Sequence, residues 1–191
     1  MTSRECIVRR HRFGFSLVEL LVAMGIFAVL AGVVLVNFRR SQYRDAARFA
    51  ALQFAADVER MQAAALAGSA ERSGAVAYGV HVQEGVADRY VLFADLIQCV
   101  SSGSGECTAN RMYDAGEELA DGIRRLPDQV RIQRVLPAAQ VDMAFAVPGG
   151  FGVIVPEASE LRVEFAHRAL AERWAAVVNA ISGRSVTFRV P

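Results

Sequence analysis

The sequence contains no lysine and carries almost no net charge: 21 basic residues, all arginine, stand against 20 acidic residues in a chain of 191. A protein that holds nucleic acid by bulk charge needs a clear basic excess, so this balance argues against that class. Charged residues amount to only 21 %, whereas apolar residues reach 53 %. This composition excludes intrinsic disorder for most of the chain. The length suits one domain with an appendage.

Sequence signatures of catalysis are also missing. No phosphate-binding loop or dinucleotide fingerprint occurs, and Gly103-Ser104-Gly105 lacks the flanking pattern of a nucleophile elbow. His81 and His167 have no obvious acidic partner along the sequence, and a lone histidine in a strand is ordinarily a core or surface residue. The sequence therefore predicts no enzyme and no cofactor.

One long apolar run dominates the hydropathy of the chain. Residues 1–14 carry four arginines and one acid, and residues 15–36 contain a single ionisable group, Glu19. As a helix this run would measure about 33 Å, which is enough to cross a bilayer core of about 30 Å. Three interpretations fit: a transmembrane anchor, a secretory signal peptide cut after Ala31, or a leader cut before a retained apolar helix.

Glu19 distinguishes these interpretations. A carboxylate at the centre of an apolar helix costs about 2.5–3.5 kcal/mol on insertion scales, and less near an end. A simple anchor or signal peptide has no use for that cost, unless the side chain merely extends to the headgroups. If proteolysis between Gly14 and Phe15 exposed a new α-amine, the carboxylate one helical turn away could neutralise an amine and fix the axial register of a filament.

The surrounding residues resemble the processing motif of type IV prepilins, because the run GFSLVE at 14–19 follows an arginine-rich leader and precedes an unbroken apolar helix. The resemblance implies cleavage after Gly14 by a prepilin peptidase, N-methylation of Phe15, and Glu19 as the assembly carboxylate. It also implies assembly with other pilins on an inner-membrane platform. We expect a single-pass inner-membrane precursor with its leader in the cytoplasm and its head in the periplasm.

Removal of the leader would change the charges and the cysteines. The mature chain would keep 17 arginines and 19 acidic residues, and Cys6 would leave with the leader. Cys99 and Cys107 would then form an even pair in a compartment that permits disulfides. The segment between them is rich in Ser and Gly and flexible enough to close. We favour a disulfide over a metal site, because only His81 and His167 remain as further ligands.

Residues 37–67 predict the second half of one long helix. They hold no proline or glycine, and Gly68 follows where a C-terminal cap belongs. An arginine stripe at 40, 44 and 48 is either solvated beside lipid headgroups or in contact with acids of the next subunit. An apolar stripe at three- and four-residue steps would pack against a head domain: Ala47, Ala50, Phe54, Val58, Met61 and Ala65.

After Gly74 short runs rich in Val, Ile, Phe and Tyr recur about every ten residues, which is typical of an antiparallel sheet. Strands are predicted at 75–82, 89–93, 130–136, 141–147, 151–155, 161–165, 174–179 and 185–190. Tight hairpin turns are predicted at 148–150 and 182–183. The fold class is therefore α+β, divided into a leader (1–14), a transmembrane half-helix (15–36), an amphipathic half-helix (37–67) and a β-rich head (68–191).

Residues 97–122 show little apolar periodicity and predict a long surface loop, held by the disulfide. Several acids flank this loop, and we interpret them as solvated turn residues, with oxygen ligands for calcium as the alternative: Asp95, Asp114, Glu117, Glu118 and Asp121.

Three segments of the head are similar to minor pilins and pseudopilins of the GspH/FimT group: 90–95 (YVLFAD), 113–117 (YDAGE) and 178–184 (VNAISGR). This resemblance implies a pilin-like fold and a minor subunit of a type II secretion pseudopilus. The alternative is a type IV pilus for adhesion, motility or DNA uptake. Outside the filament class, the alternative is an exported soluble protein cut after Ala31.

Some FimT-like proteins bind DNA through a C-terminal Gly-Arg-x-Arg element. Here residues 183–186 read GRSV, so the second arginine is missing, and Arg189 falls beyond that spacing. Together with the excess of acids in the mature chain, this disfavours DNA contact through Arg184 and Arg189.

Overall fold

The computed structural model describes residues 16–68, 72–85, 88–99, 107–108 and 110–191. The leader 1–14 and Phe15 lie outside these ranges. The chain divides into two compact units, Met1–Ser41 and Gln42–Pro191. The described residues form one helix, α1 (Leu17–Ala67), and eleven strands: β1 (Ala75–Gln83), β2 (Arg89–Leu96), β3 (Gln98–Cys99), β4 (Cys107–Thr108), β5 (Glu118–Arg125), β6 (Val130–Leu136), β7 (Gln140–Ala146), β8 (Gly152–Val155), β9 (Glu160–His167), β10 (Arg173–Asn179) and β11 (Ser185–Val190).

Between residues 20 and 35, in the first unit, α1 carries only apolar residues. Residues 16–35 are all exposed, and the helix is long and apolar enough to cross a membrane by length and composition. This segment has no polar helix face that could be turned towards water, so exposure of its apolar side chains to water is unfavourable.

The part of α1 in the second unit buries one face. All six residues of the predicted apolar stripe are buried, which confirms that prediction. Phe54 lies at the centre of the core: its ring centroid is 5.2 Å from that of Tyr90 on β2 and 5.8 Å from that of Phe165 on β9. The helix ends at Ala67, and Gly68 follows with a φ of 60°, as expected for a left-handed C-terminal cap.

The strands build two larger antiparallel sheets and one small ribbon. The first sheet has five strands in the order β5-β2-β1-β7-β8, the second has four in the order β11-β10-β9-β6, and β3 pairs with β4. One apolar core contains residues from α1 and from both larger sheets. Among the residues that the structure describes, the buried core residues all lie between Ala47 and Val190, so the unit from Gln42 to Pro191 carries its own core.

A smaller cluster lies on the opposite face of the five-stranded sheet. It consists of Ala77, Phe93 and Ala144, with Tyr113 packed against them. Tyr113 belongs to the segment between β4 and β5, so this segment covers part of the sheet that the main core does not reach.

All eight predicted strands occur, with bounds shifted by at most three residues. Both predicted hairpin turns are confirmed: Gly149, Gly150 and Gly183 adopt positive φ values of 124°, 64° and 65°. The single loop predicted at 97–122 is wrong, because β3, β4 and the first residues of β5 fall within it. β5 lies at the edge of its sheet, with four of its eight residues exposed and only Gly122 buried, so its sequence lacks the apolar alternation that identifies a strand.

Candidate functional site

Glu19 lies in the first turn of α1 and is exposed. Ser16 caps the helix: its Oγ accepts a hydrogen bond of 3.2 Å from the backbone N–H of Glu19. Ser16 and Glu19 therefore occupy the Ncap and N3 positions, a pairing whose sequence signal, Ser-x-x-Glu, would have located the helix start. The capped turn leaves a carboxylate at the N-terminal end of an exposed apolar helix, where the helix dipole favours negative charge.

The predicted cleavage site between Gly14 and Phe15 lies outside the described residues. The roles of Gly14, Phe15 and Glu19 in processing and assembly therefore remain predictions.

Cys99 and Cys107 are directly opposite each other in the β3–β4 ribbon. Directly paired residues of antiparallel strands have Cα atoms about 4.5–5.5 Å apart, and disulfides require about 4.4–6.8 Å. The backbone register therefore suits the predicted disulfide, which remains a prediction.

Acidic side chains bind backbone N–H groups around the segment between β4 and β5, which we call the covering segment. Oδ2 of Asp95 accepts the N–H of Arg111 at 2.8 Å. The two carboxylate oxygens of Glu117 accept the N–H groups of Leu96 and Asp114, each at 3.1 Å. Asp95 and Glu117 are buried, so our interpretation of them as solvated turn residues is wrong: they hold the segment against the C-terminal end of β2.

The same contacts weaken the calcium alternative for Asp95, Asp114 and Glu117. Oδ2 of Asp114 accepts the side-chain N–H of Asn110 at 2.8 Å. Within the described parts of the chain, no group of three or more His, Cys, Asp and Glu side chains could hold a metal ion. Burial raises the pKa of Asp95, although the N–H of Arg111 opposes this shift.

His81 has an acidic partner that its place in the sequence does not reveal. Its Nδ1 lies 2.7 Å from Oδ1 of Asp142, which is almost fully buried on the neighbouring strand β7. The pairing of β1 with β7 places these two residues directly opposite each other. They are 61 positions apart, so only the sheet register could identify the pair.

A cavity of about 220 Å³ lies beside this pair, and Tyr113 and Glu118 also line it. The Tyr113 hydroxyl donates to Oε1 of Glu118, and this bond raises the pKa of Tyr113 to about 12 and lowers the pKa of Glu118. Four of the polar side chains at this cavity are thus paired, His81 with Asp142 and Tyr113 with Glu118.

Arg184 and Arg189 lie at the two ends of the last hairpin strand. Arg184 is exposed and directly precedes β11. Nη2 of Arg189 lies 3.3 Å from Oε1 of Glu172, which also pairs with Arg44 at 2.9 Å. A carboxylate shared with Arg189 lowers the positive potential at this place, so the geometry adds nothing in favour of DNA contact.

Two arginines of the α1 stripe, Arg44 and Arg48, contact residues of the head. Arg44 pairs with Glu172, and the guanidinium of Arg48 lies 5.5 Å from the ring centroid of Trp174. Both side chains nevertheless remain exposed, so the two interpretations of the stripe, a solvated face beside lipid headgroups or a contact with acids of the next subunit, stay predictions.

Comparison with known families identifies one feature of the chain. Residues 9–35 match the family model of the prokaryotic N-terminal methylation motif. This is the prepilin-type cleavage and methylation signal of type IV pilin-like proteins. No curated protein and no solved structure matches the chain significantly.

The signal and the architecture agree with each other. A long apolar N-terminal helix followed by an antiparallel β head is a pilin-like α+β fold. The motif implies processing by a prepilin peptidase and assembly with other pilins, and it indicates a structural subunit rather than an enzyme. The apolar helix near the N-terminus is consistent with the membrane anchor of a pilin.

Proposed function

We propose that the chain is a minor subunit of a type II secretion pseudopilus, processed after Gly14 and methylated on Phe15. The observation that carries the proposal is the methylation motif at residues 9–35, which overlaps a helix with an exposed apolar surface, in a chain whose head is a β structure. Such a helix can be buried in a membrane before assembly and among other helices afterwards.

In this proposal Glu19 is the assembly carboxylate. It is the only ionisable residue between 17 and 38, and burial of a lone carboxylate among apolar helices is unfavourable without a cationic partner. The α-amine that cleavage would create at Phe15 supplies such a partner, on the same or a neighbouring subunit. The head would lie in the periplasm, with the Cys99–Cys107 disulfide formed there, and the inner-membrane platform would add subunits to the filament.

The processing step is tested by mass spectrometry of the full-length protein purified from membranes of its host. We expect a mature chain that begins with methylated Phe15. A chain that begins at Met1 would contradict the proposal, and one that begins at Gly32 would support export of a soluble protein instead.

The assembly step is tested with Glu19→Ala and with Glu157→Ala, which changes an exposed glutamate of the head, as the matched control. We expect Glu19→Ala to leave cleavage largely intact while the amount of the protein in sheared filaments falls strongly. The control should assemble normally. Equal incorporation of both variants would contradict the role of Glu19.

The choice of machine is tested by deleting the gene in its host. We expect loss of protein secretion through the outer membrane with surface pili intact. Loss of pili, twitching motility or DNA uptake with secretion intact would assign the chain to a type IV pilus.

A further inference from the structure

The outer side of the four-stranded sheet concentrates positive charge. Side chains alternate between the two faces of a strand, and Ile132, Val135, Val163 and Phe165 point into the core. The alternate positions of β6, β9 and β10 carry four arginines, which we call the arginine face: Arg131, Arg134, Arg162 and Arg173.

The strand register brings these four residues together. Arg131 is paired with Ala166, which is paired in turn with Arg173, so the two arginines lie two strands apart in one row. Arg134 is paired with Glu164 in the next row. At about 4.8 Å between strands and about 3.3 Å per residue, the whole set fits within about 15 Å.

One buried carboxylate holds two of the guanidinium groups. Glu164 is buried, and its two oxygens lie 2.7 Å from Nη2 of Arg162 and 2.9 Å from Nη1 of Arg173. Each of these arginine side chains keeps about a third of its surface exposed, at 34 % and 32 %. Since their positions are fixed in advance, little side-chain entropy is lost when they bind a further anion.

Arg131 and Arg134 carry the uncompensated charge. Both are exposed, and within the described ranges neither forms an ion pair with an acidic side chain. Four arginines stand here against two acids, Glu164 and the exposed Glu160 on the same face of β9. This surface therefore stays positive, although the mature chain as a whole has more acids than arginines.

Apolar side chains continue the arginine face onto β11. Phe188 is 37 % exposed, and the guanidinium of Arg162 lies 5.5 Å from its ring centroid. Val186 is 62 % exposed and is paired with Val177 of β10. Arginine beside exposed aromatic and aliphatic side chains, without lysine, is the composition of a protein–protein interface.

We propose that the arginine face binds the acidic surface of a neighbouring filament subunit, with carboxylates against Arg131 and Arg134 and an apolar patch against Phe188 and Val186. This inference rests on the proposed function and specifies the partner surface of the head. Nucleic acid fits less well, because the mature chain has more acidic residues than arginines.

The test uses the full-length chain in its host, with a photo-crosslinking amino acid in place of Val186. Arg131→Glu combined with Arg134→Glu reverses the exposed charge. The matched control is Arg89→Glu with Arg125→Glu, two exposed arginines that are paired in β2 and β5 of the other sheet. Arg131→Gln with Arg134→Gln serves as a milder variant if the reversal lowers the amount of folded protein.

We expect a crosslink from position 186 to another protein that carries an N-terminal methylation motif. The yield should fall at least about tenfold in the Arg131/Arg134 reversal and stay unchanged in the control, because like charges placed face to face at an interface are strongly disfavoured. In the Arg131/Arg134 reversal, substitution of the partner's acidic residues by arginine should restore the crosslink yield. A crosslink to nucleic acid, to a protein without the motif, or of equal yield in both variants would overturn the inference.

The mature N-terminus is measured in the same strains. If the chain is not cleaved and methylated, the proposed function fails. If it is processed and enters filaments but gives no charge-dependent crosslink, only the inference about the arginine face fails.

Discussion

The hydroxyl of Tyr90 donates a hydrogen bond of 2.6 Å to Oδ2 of Asp57 and joins the buried side of α1 to β2. Nε of Arg124, on the edge strand β5, lies 3.4 Å from the same oxygen. Burial and the hydrogen bond to Asp57 raise the pKa of Tyr90, so the phenol remains a donor at every physiological pH. The three side chains link the helix to two strands of the five-stranded sheet.

Asp57→Ala should destabilise the head, because it leaves the Tyr90 hydroxyl and the Arg124 guanidinium without their shared acceptor. We expect the free energy of unfolding to fall by about 1–3 kcal/mol. Urea unfolding of residues 42–191, which carry their own core, measures it. Asp45→Ala, at an exposed position of the same helix, should change stability far less. Equal effects would show that the contact with Tyr90 is unimportant.

His167 should make the head less stable in mild acid. Its side chain is buried, stacks on Tyr43 at 4.3 Å between ring centroids, and has a pKa lowered from 6.5 by burial. The unfolded chain therefore binds a proton at a higher pH than the folded chain. The contribution of neutral His167 to the stability of the head is complete above pH 6.5 and is lost as the pH falls through the folded-state pKa of His167.

We expect His167→Phe to reduce the loss of stability between pH 6.5 and pH 5, that is, the slope of stability against pH, whatever the effect of the substitution on absolute stability. Thermal unfolding of residues 42–191 across this range gives both slopes. Identical slopes for the original chain and the variant would contradict the prediction.

Asp95→Asn should raise the Tm of the head at pH 7 by a few degrees. Burial raises the pKa of the Asp95 carboxyl above 3.8, so its ionisation above that pKa lowers stability, and stability returns as the pH falls towards 3.8. The amide oxygen of asparagine can still accept the N–H of Arg111. The gain should therefore vanish near pH 4, and a lower Tm at pH 7 would show that the negative charge itself holds the segment.

Reduction should destabilise the head through Cys99 and Cys107. A disulfide between them would close a loop of about nine residues and contribute about 2–3 kcal/mol. We expect no thiol of the mature protein to react with iodoacetamide before reduction, two to react afterwards, and the Tm to fall. Cys99→Ser with Cys107→Ser should be as stable as the reduced protein. Two reactive thiols in protein isolated without reductant would exclude the bond.

The sequence predicted the helix, its buried stripe and eight of the strands, because most of these elements bury one regular face and so carry a regular apolar pattern. It missed the short strands β3 and β4 and also β5, an edge strand with half of its residues exposed and only one buried. It also missed the pairing of His81 with Asp142, since contacts across a sheet depend on register rather than on neighbouring residues.

The sequence by itself determined the methylation motif and the apolar helix, because both are properties of consecutive residues that need no partner from elsewhere in the chain. Only the tertiary structure decided that Asp95 and Glu117 fasten a segment to β2 and that Arg44 meets Glu172 of its own head. It alone gathered Arg131, Arg134, Arg162 and Arg173 on one face. The sequence does not reveal which charged side chains pair, because water and salt screen charges that are far apart. Only folding brings particular groups within a few ångströms of each other.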